Sequence, residues 1–245
     1  MQLRYITLFI DYGSGFMDPF RDQFNLHSRF VSNYLSIQVR KLKIKTDGTF
    51  NLIGISPSLN IKHICRIVGE KSLQVRIEFD RRYYERLSKQ NKYEYYLQLL
   101  EEGYRISTQF KEIPVDTLLL LHQKFREGGY KNEWVHKAKR FKEYNIHVVL
   151  SCFFTSVDFQ LVISIHDLKT KELLVAGTVI RTLPDEIHFQ KNFKDVKIEK
   201  EELIITDFLD RPRVALELTD IYKKEFRFSL LGKGLEYITY EPSNL

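Results

Sequence analysis

Two stretches of the chain alternate strictly between apolar and polar residues, and a stretch between them repeats its apolar residues every three or four positions. The alternation covers residues 73–79 and 159–165. A period of two is typical of a strand with one buried face. Residues 93–104 carry tyrosine and leucine at helical spacing. The sequence therefore predicts strands on both sides of a helical middle.

This order of elements predicts an α+β fold in which antiparallel β-meanders flank a central helical pair. Strands joined by short turns pair antiparallel, and the elements show no βαβ alternation. We expect one compact unit over residues 1–245, β-rich over 1–80, helical over 81–129 and β-rich again over 130–245. A Gly-Gly pair at 128–129 is typical of the end of the second helix.

In the first part of the chain, alternation predicts a strand over 35–39, and it resumes in the opposite phase over 42–44. Such a phase change indicates a β-bulge near 40–41. Asp47-Gly48 is the signal of a tight hairpin turn, which predicts a return strand over 50–55.

The last part of the chain predicts a series of short strands, at 146–154, 159–165, 173–180, 202–206, 214–218, 226–230 and 235–240. Residues 131–142 fit helical spacing through Trp134, Ala138 and Phe141. Their neighbours are strands, so a long strand is the preferred interpretation.

Composition describes a globular chain and gives little information about its partner. Of 245 residues, 43% are hydrophobic, which excludes a disordered chain. The net charge of +6 favours acidic partners without identifying one. The N-terminus lacks the features of a signal peptide, and the longest apolar runs are too short to cross a bilayer. We expect a cytoplasmic protein without membrane contact, and the sequence carries no signal for an oligomeric state.

The sequence contains no specific catalytic or metal-binding motif. His63 and Cys65 share one strand face, and His147 and Cys152 lie on another predicted strand, but the close Cys and His pairs of a zinc site do not occur. Buried, reduced thiols are the expected role of both cysteines. We therefore predict no metal and no cofactor.

A Gly-rich loop over 11–18 follows the first predicted strand. It matches neither a P-loop nor a dinucleotide-binding fingerprint, so a flexible turn is favoured. In an alternative interpretation, Asp11 and Asp18 are paired carboxylates of an enzyme. His63 is the further candidate for a site assembled from distant residues.

Two segments have the composition of binding surfaces. Residues 131–142 interleave cations with aromatic side chains, which suits phosphates and bases but also an ordinary solvated face. The first helix is crowded with tyrosines and begins with arginines, which suits a protein interface or a wide buried face. The predicted partner-binding residues are Arg82, Tyr84, Arg86, Tyr95, Trp134, Lys137, Lys139, Arg140 and Lys142.

These observations favour a non-enzymatic, cytoplasmic protein-binding module with an acidic partner. One concrete form is an immunity or antitoxin-type protein that occludes the active site of a toxin, which is an analogy at the level of fold. The alternatives are a nucleic-acid-associated protein that uses the basic segment 131–142, and an enzyme whose site is assembled from distant residues.

Overall fold

The computed structural model describes residues 1–59, 61 and 64–232. The chain divides into two compact units, Met1–Asn132 and Glu133–Leu245. This boundary lies close to the predicted change from helical to β-rich sequence. The α+β class is confirmed, because the described residues form both helices and sheets with antiparallel pairing. One compact unit over the whole chain stays a prediction.

The described residues form six helices: α1 (Phe20–Leu42), α2 (Arg81–Arg86), α3 (Lys89–Ser107), α4 (Val115–Glu127), α5 (Glu186–Phe189) and α6 (Leu218–Tyr222). The strands are β1 (Tyr5–Leu8), β2 (Leu52–Ser58), β3 (Cys65–Val68), β4 (Ser72–Glu78), β5 (Asn132–Phe141), β6 (Ile146–Phe154), β7 (Phe159–Asp167), β8 (Leu173–Thr182), β9 (Asp195–Glu199), β10 (Glu202–Thr206), β11 (Pro212–Glu217) and β12 (Ser229–Leu230). The preferred strand over 131–142 is confirmed as β5, and the strand predicted over 235–240 lies outside the described residues. None of these six helices is both long enough and apolar enough to cross a membrane.

The first unit contains a mixed four-stranded sheet in the order β1-β2-β4-β3. Strands β1 and β4 both run parallel to β2, and only β3 pairs antiparallel, with β4. This sheet differs from a pure meander because α1 carries the chain from the end of β1 back to the start of β2, as parallel pairing requires. The carboxyl ends of β1, β2 and β4 consequently lie at one edge of the sheet.

The strands and the bulge predicted over 35–44 are wrong, because most of these residues belong to α1. Leu35 and Val39 are four residues apart and both buried, whereas Ile37 between them is half-exposed. Short apolar runs with this spacing satisfy both periods, and burial against β1 selects the helix. The region 1–80 is therefore less β-rich than predicted.

The prediction that Asp47-Gly48 is the turn of a β-hairpin is also wrong. The turn forms, with Gly48 at φ 94° and Asp47 accepting from the amide of Thr49 at 2.8 Å. It connects the end of α1 to β2 rather than two strands of one hairpin.

A polar stripe on α1 is bonded to the backbone of β1. The Ser36 hydroxyl accepts from the Ile6 amide at 3.0 Å and donates to the Ile6 carbonyl at 3.1 Å. Ser32 accepts from the Leu8 amide at 3.0 Å, and the Asn25 amide bonds the backbone just beyond β1. These side chains are seven and four residues apart and lie on one helix face, so they take the place of a neighbouring strand along the outer edge of β1.

Helices α3 and α4 pack as an antiparallel pair joined by a partly buried polar network. The Arg126 guanidinium donates to Glu94 at 2.7 Å and to Glu101 at 2.8 Å. His122 is fully buried, 3.1 Å from a Glu101 oxygen and 3.4 Å from the Tyr104 hydroxyl. His122 is therefore a core histidine whose two ring nitrogens both have partners.

The second unit contains two four-stranded sheets, in the orders β5-β6-β7-β8 and β12-β11-β10-β9. Along β7 every second residue over 159–165 is buried, as the alternation predicts, and β6 has the same burial pattern. Phe159 stacks on Phe189 with ring centroids 3.6 Å apart, and Phe154 packs edge-on against Phe189. These aromatic contacts extend the core beyond the end of the first sheet.

Candidate functional site

The most unusual surface of the first unit lies at the edge of the mixed sheet where β1, β2 and β4 end. Loops at the carboxyl ends of parallel strands commonly carry binding residues in open sheets. Here β1 is followed by the Gly-rich loop 11–18, β2 by Leu59, and β4 by Phe79 and α2. We call this region the carboxyl-edge surface, formed by Tyr12, Met17, Leu59, Ile61, Arg82 and Tyr83.

The Gly-rich loop is fixed to the end of β2. The carbonyl of Ser14 accepts from the Ser58 hydroxyl at 3.0 Å and from the Leu59 amide at 2.8 Å. Gly15 adopts φ 87°, a conformation that L side chains rarely adopt. An added Cβ at Gly15 would also lie 3.3 Å from the Leu59 side chain. The flexible turn predicted from the sequence is therefore a hydrogen-bonded loop.

The two aspartates of this loop have separate cationic partners. Asp11 accepts from Gln74 at 2.7 Å and from Arg76 at 3.0 Å, and both members of the Asp11–Arg76 pair are largely buried. Asp18 is mostly exposed and forms an ion pair with Arg21. The structure gives no contact between the two carboxylates. His63, the third candidate of the enzyme interpretation, lies outside the described residues.

An open cleft of about 640 Å³ lies at the carboxyl-edge surface. It is lined by Ser58, Leu59, Ile61, Glu78, Phe79, Asp80, Arg81, Arg82 and Glu102. Partial burial and the charge of Glu78 raise the pKa of Glu102, against the opposing charge of Arg105. The cleft therefore offers charges of both signs beside apolar side chains.

Arg82 and Arg86 are exposed on α2, as the binding interpretation requires. Arg81 is engaged within the unit: it donates to Glu85 at 2.7 Å, and its guanidinium lies 4.4 Å from the ring centroid of Phe20. Cations at a helix start oppose the helix dipole. The side chain of Asp80 caps this helix by accepting from the Tyr83 amide at 2.9 Å.

The two predicted tyrosines have different environments. Tyr84 is only 3% exposed, and its hydroxyl lies 2.8 Å from that of Tyr96. Its assignment to a partner-binding surface is contradicted by this burial, because its ring completes an aromatic cluster with Phe24 and Phe79. Burial raises the pKa of its hydroxyl, against the effect of the Tyr96 hydrogen bond.

Tyr95 is half-exposed and packs edge-on against the exposed ring of Tyr83, with centroids 5.3 Å apart. Burial, followed by the charges of Asp80 and Glu102, raises the pKa of Tyr95 to about 12. The hydroxyl is therefore a neutral polar group at the back of the carboxyl-edge surface.

Large apolar side chains at this edge are exposed to an unusual degree. The exposed fractions are 88% for Tyr12, 79% for Met17 and 64% for Leu59. The Arg21 guanidinium stacks 3.8 Å from the centroid of the Tyr12 ring. Sequence reasoning missed all three residues, although apolar side chains in a Gly-rich loop were an available signal.

In the basic segment, some cations form contacts within the second unit and others are exposed to solvent. Lys137 lies 3.2 Å from Asp195, and Lys139 donates to the Val196 carbonyl at 2.6 Å. Both cations therefore bind the β9 region. Trp134 is half-buried beside Phe159, whereas Arg140 and Lys142 are exposed.

Neither cysteine is arranged for catalysis, and both are free. Cys152 is fully buried, and this burial raises the pKa of its thiol. A thiolate is the nucleophilic form, so the Cys152 thiol is inert. Cys65 is half-exposed on β3, where full burial was expected. Over residues 1–59, 61 and 64–232, no group of three His, Cys, Asp or Glu side chains is placed to hold a metal ion.

What the chain can bind has to be inferred from its own side chains. The carboxyl-edge surface in the first unit and the exposed cations in the second are its two unusual surfaces. No protein-family model, no curated protein and no solved structure matches this chain.

Proposed function

We propose that the protein is a non-enzymatic protein-binding module that docks through the carboxyl-edge surface of its first unit. An immunity or antitoxin-type protein that occludes the active site of a partner is the concrete form of this proposal. The immunity role is an analogy at the level of fold, whereas the docking surface rests on side chains of this chain.

The exposure of Tyr12 and Met17 on the Gly-rich loop, and of Leu59 at the end of β2 to which that loop is bonded, carries the proposal. Single exposed apolar residues are ordinary, but adjacent ones beside a cleft mark interaction surfaces. The loop that presents them is fixed by hydrogen bonds to β2, so little conformational entropy is lost on docking.

Exposed arginines beside these anchors support an acidic partner. Arg82 lines the cleft, and Arg86 is exposed one helical turn further along α2. Arginine binds carboxylates through a planar fork and is enriched at interfaces. Glu78 and Glu102 line the same cleft, so the acidic groups of the partner are expected opposite α2 rather than inside the cleft.

The test is a comparative affinity purification from the lysate of the source organism, with nuclease present. Tagged wild type is compared with Met17→Glu/Leu59→Glu and with the control Val135→Glu/Leu209→Glu, which alters two exposed apolar residues of the second unit. We expect one protein to be retained by wild type and control and to be lost from the docking variant.

Capture alone does not support the proposal, because any lysate contains weakly adhering proteins. Retention of the same proteins by both double variants would exclude the carboxyl-edge surface as the docking site. Failure of the wild type to retain any protein at low salt would contradict a binding module. Circular dichroism of each variant establishes that the fold is kept.

A further inference from the structure

Two turns of the second unit lie side by side at one end of the β5-β6-β7-β8 sheet. One turn, 142–145, joins β5 to β6, and the other, 168–172, joins β7 to β8. The side chain of Asn145 donates to Asp167 at 2.6 Å, and its carbonyl accepts from the Leu168 amide at 2.8 Å. These bonds hold the two turns together as one surface.

This surface is rich in cations and imidazoles. His147 and His166 are directly opposite each other on β6 and β7, with ring centroids 6.4 Å apart. Arg140, one residue before the end of β5, neighbours His147 across the first turn. We call this region the basic end, formed by Arg140, Lys142, His147, His166, Lys169 and Lys171.

The nearby carboxylates neutralise only part of this charge. Asp167 stays ionised, because the amides of Thr170 and Lys169 donate to it at 2.7 and 2.9 Å and lower its pKa. Glu172 forms an ion pair with Lys224, whose charge offsets it. Glu143 is the remaining exposed carboxylate of the two turns. Four lysines and arginines therefore retain a net positive charge even with both histidines neutral.

We propose that the basic end binds the phosphates of a nucleic-acid strand, and that His147 adds positive charge to this site at acid pH. The site lies in the second unit and is independent of the proposed docking surface. It uses Arg140 and Lys142, two exposed cations of the segment 131–142.

The arrangement suits a phosphate polymer better than one small anion. Neighbouring strands lie about 4.8 Å apart, so Arg140 on β5, His147 on β6 and His166 on β7 form a row roughly 10 Å long, beside the lysines of the two turns. Such a row follows several successive phosphates, and each contact releases condensed counterions. A compact anion would contact only part of the row.

His147 makes this binding dependent on pH. Burial, followed by the charges of Arg140, His166 and Lys171, lowers the pKa of His147. The Asp167 carboxylate is the opposing group on β7, and Tyr222 approaches from α6 through its bond to the Tyr144 carbonyl. His147 is therefore neutral near pH 7, and a bound phosphate favours its protonation as the pH falls.

The experiment measures fluorescence anisotropy of a labelled oligothymidylate with the full chain at low salt, at about pH 8 and at about pH 5.5. We expect binding at both values, about tenfold tighter at the lower pH, and loss of binding at high salt. Arg140→Ala/Lys142→Ala should weaken binding about tenfold. The control Lys191→Ala/Lys194→Ala removes two exposed cations beside Phe193, near the opposite end of β7, and should change it less than twofold.

A second variant tests His147 separately. His147→Asn should keep the affinity of wild type at about pH 8 and lose the tightening at lower pH. Equal affinities for the two double cation variants, or a wild type that binds equally at both pH values, would overturn the proposal. Competition by polyglutamate as effective as that by unlabelled oligonucleotide would also overturn it, because the surface would then select acidic protein.

Discussion

The two edge strands of the mixed sheet, β1 and β3, differ in what lies against their outer side. The edge of β1 is covered by α1, whose serines bond the strand backbone as a neighbouring strand would. The edge of β3 has exposed apolar side chains, with Ile67 and Val68 37% and 38% exposed. An uncovered edge strand is a template for pairing with another chain. One edge is thus built for stability, and the other is available for contact.

This comparison shows that a polar side chain can supply the backbone hydrogen bonds that a neighbouring strand would otherwise form. Ser36 satisfies both the donor and the acceptor of Ile6, and Ile6 is fully buried. Unsatisfied backbone groups are costly when buried, so α1 is bound to β1 by more than apolar packing. The β3 side has no such dependence on a single helix.

The largest expected effect comes from removing the serine contact. Ser36→Val leaves the amide and carbonyl of Ile6 without their partner, at a cost of about 3 kcal/mol in the free energy of unfolding. The measurement is urea unfolding followed by circular dichroism, at neutral pH.

Gln38→Val is the matched control, because it places the same β-branched residue on a half-exposed face of α1. It should cost less than about 1 kcal/mol, the loss of helix propensity alone. Equal unfolding midpoints for Ser36→Val and Gln38→Val would mean that β1 does not depend on the serine contact.

The sequence predicted the elements with clear periods and missed those whose pattern was ambiguous. Strand β7 agrees with its alternation residue for residue over 159–165, whereas Leu35 and Val39 fit a strand as well as a helix. Asn25, Ser32 and Ser36 are spaced by seven and four residues, a helical signal that an apolar pattern does not register.

The candidate surfaces were less predictable than the fold, because they depend on tertiary contacts. Tyr84 and Tyr95 look equivalent in the sequence, but the fold buries only the first completely. Lys137 and Lys139 are bound by β9, which lies more than fifty residues away along the chain. Local composition cannot distinguish a solvated cation from a paired one.

A second, smaller effect on stability is expected at Glu101, whose contacts are charged, whereas the contact of Ser36 is uncharged. The hydrogen bond with His122, then that with Arg126, lowers the pKa of Glu101 to about 2 from an ordinary 4.5. Its folded-state pKa is depressed, so its stabilisation is complete above about pH 4.5 and is lost as the pH falls toward 2.

Glu101→Gln should therefore cost about 1 kcal/mol at neutral pH, since solvent screens part of this network, and progressively less in acid. The cost of Ser36→Val should stay constant over the same range, because no titratable group takes part in that contact. Urea unfolding at a series of pH values compares the two variants. A pH-independent cost for Glu101→Gln would contradict the charged network.

The smallest effect on stability is expected at the open edge. Antiparallel pairing alternates between bonded and outward-facing residues, and the Arg76 amide bonds the Ile64 carbonyl at 2.8 Å. Ile64 and Arg66 therefore face β4, and the backbone groups of Cys65 and Ile67 point away from the sheet. A pairing strand would bond at these two residues.

Ile67→Lys places a charge at this position without removing a buried group. It should change the free energy of unfolding by less than about 0.5 kcal/mol, as is usual for exposed positions. It should reduce concentration-dependent association, because an edge lysine opposes strand pairing. Sedimentation velocity at rising concentration compares it with wild type and with Val135→Lys, a control on β5. Large destabilisation by Ile67→Lys would mean that β3 is as dependent on its side chains as β1, and the contrast between the two edges would fail.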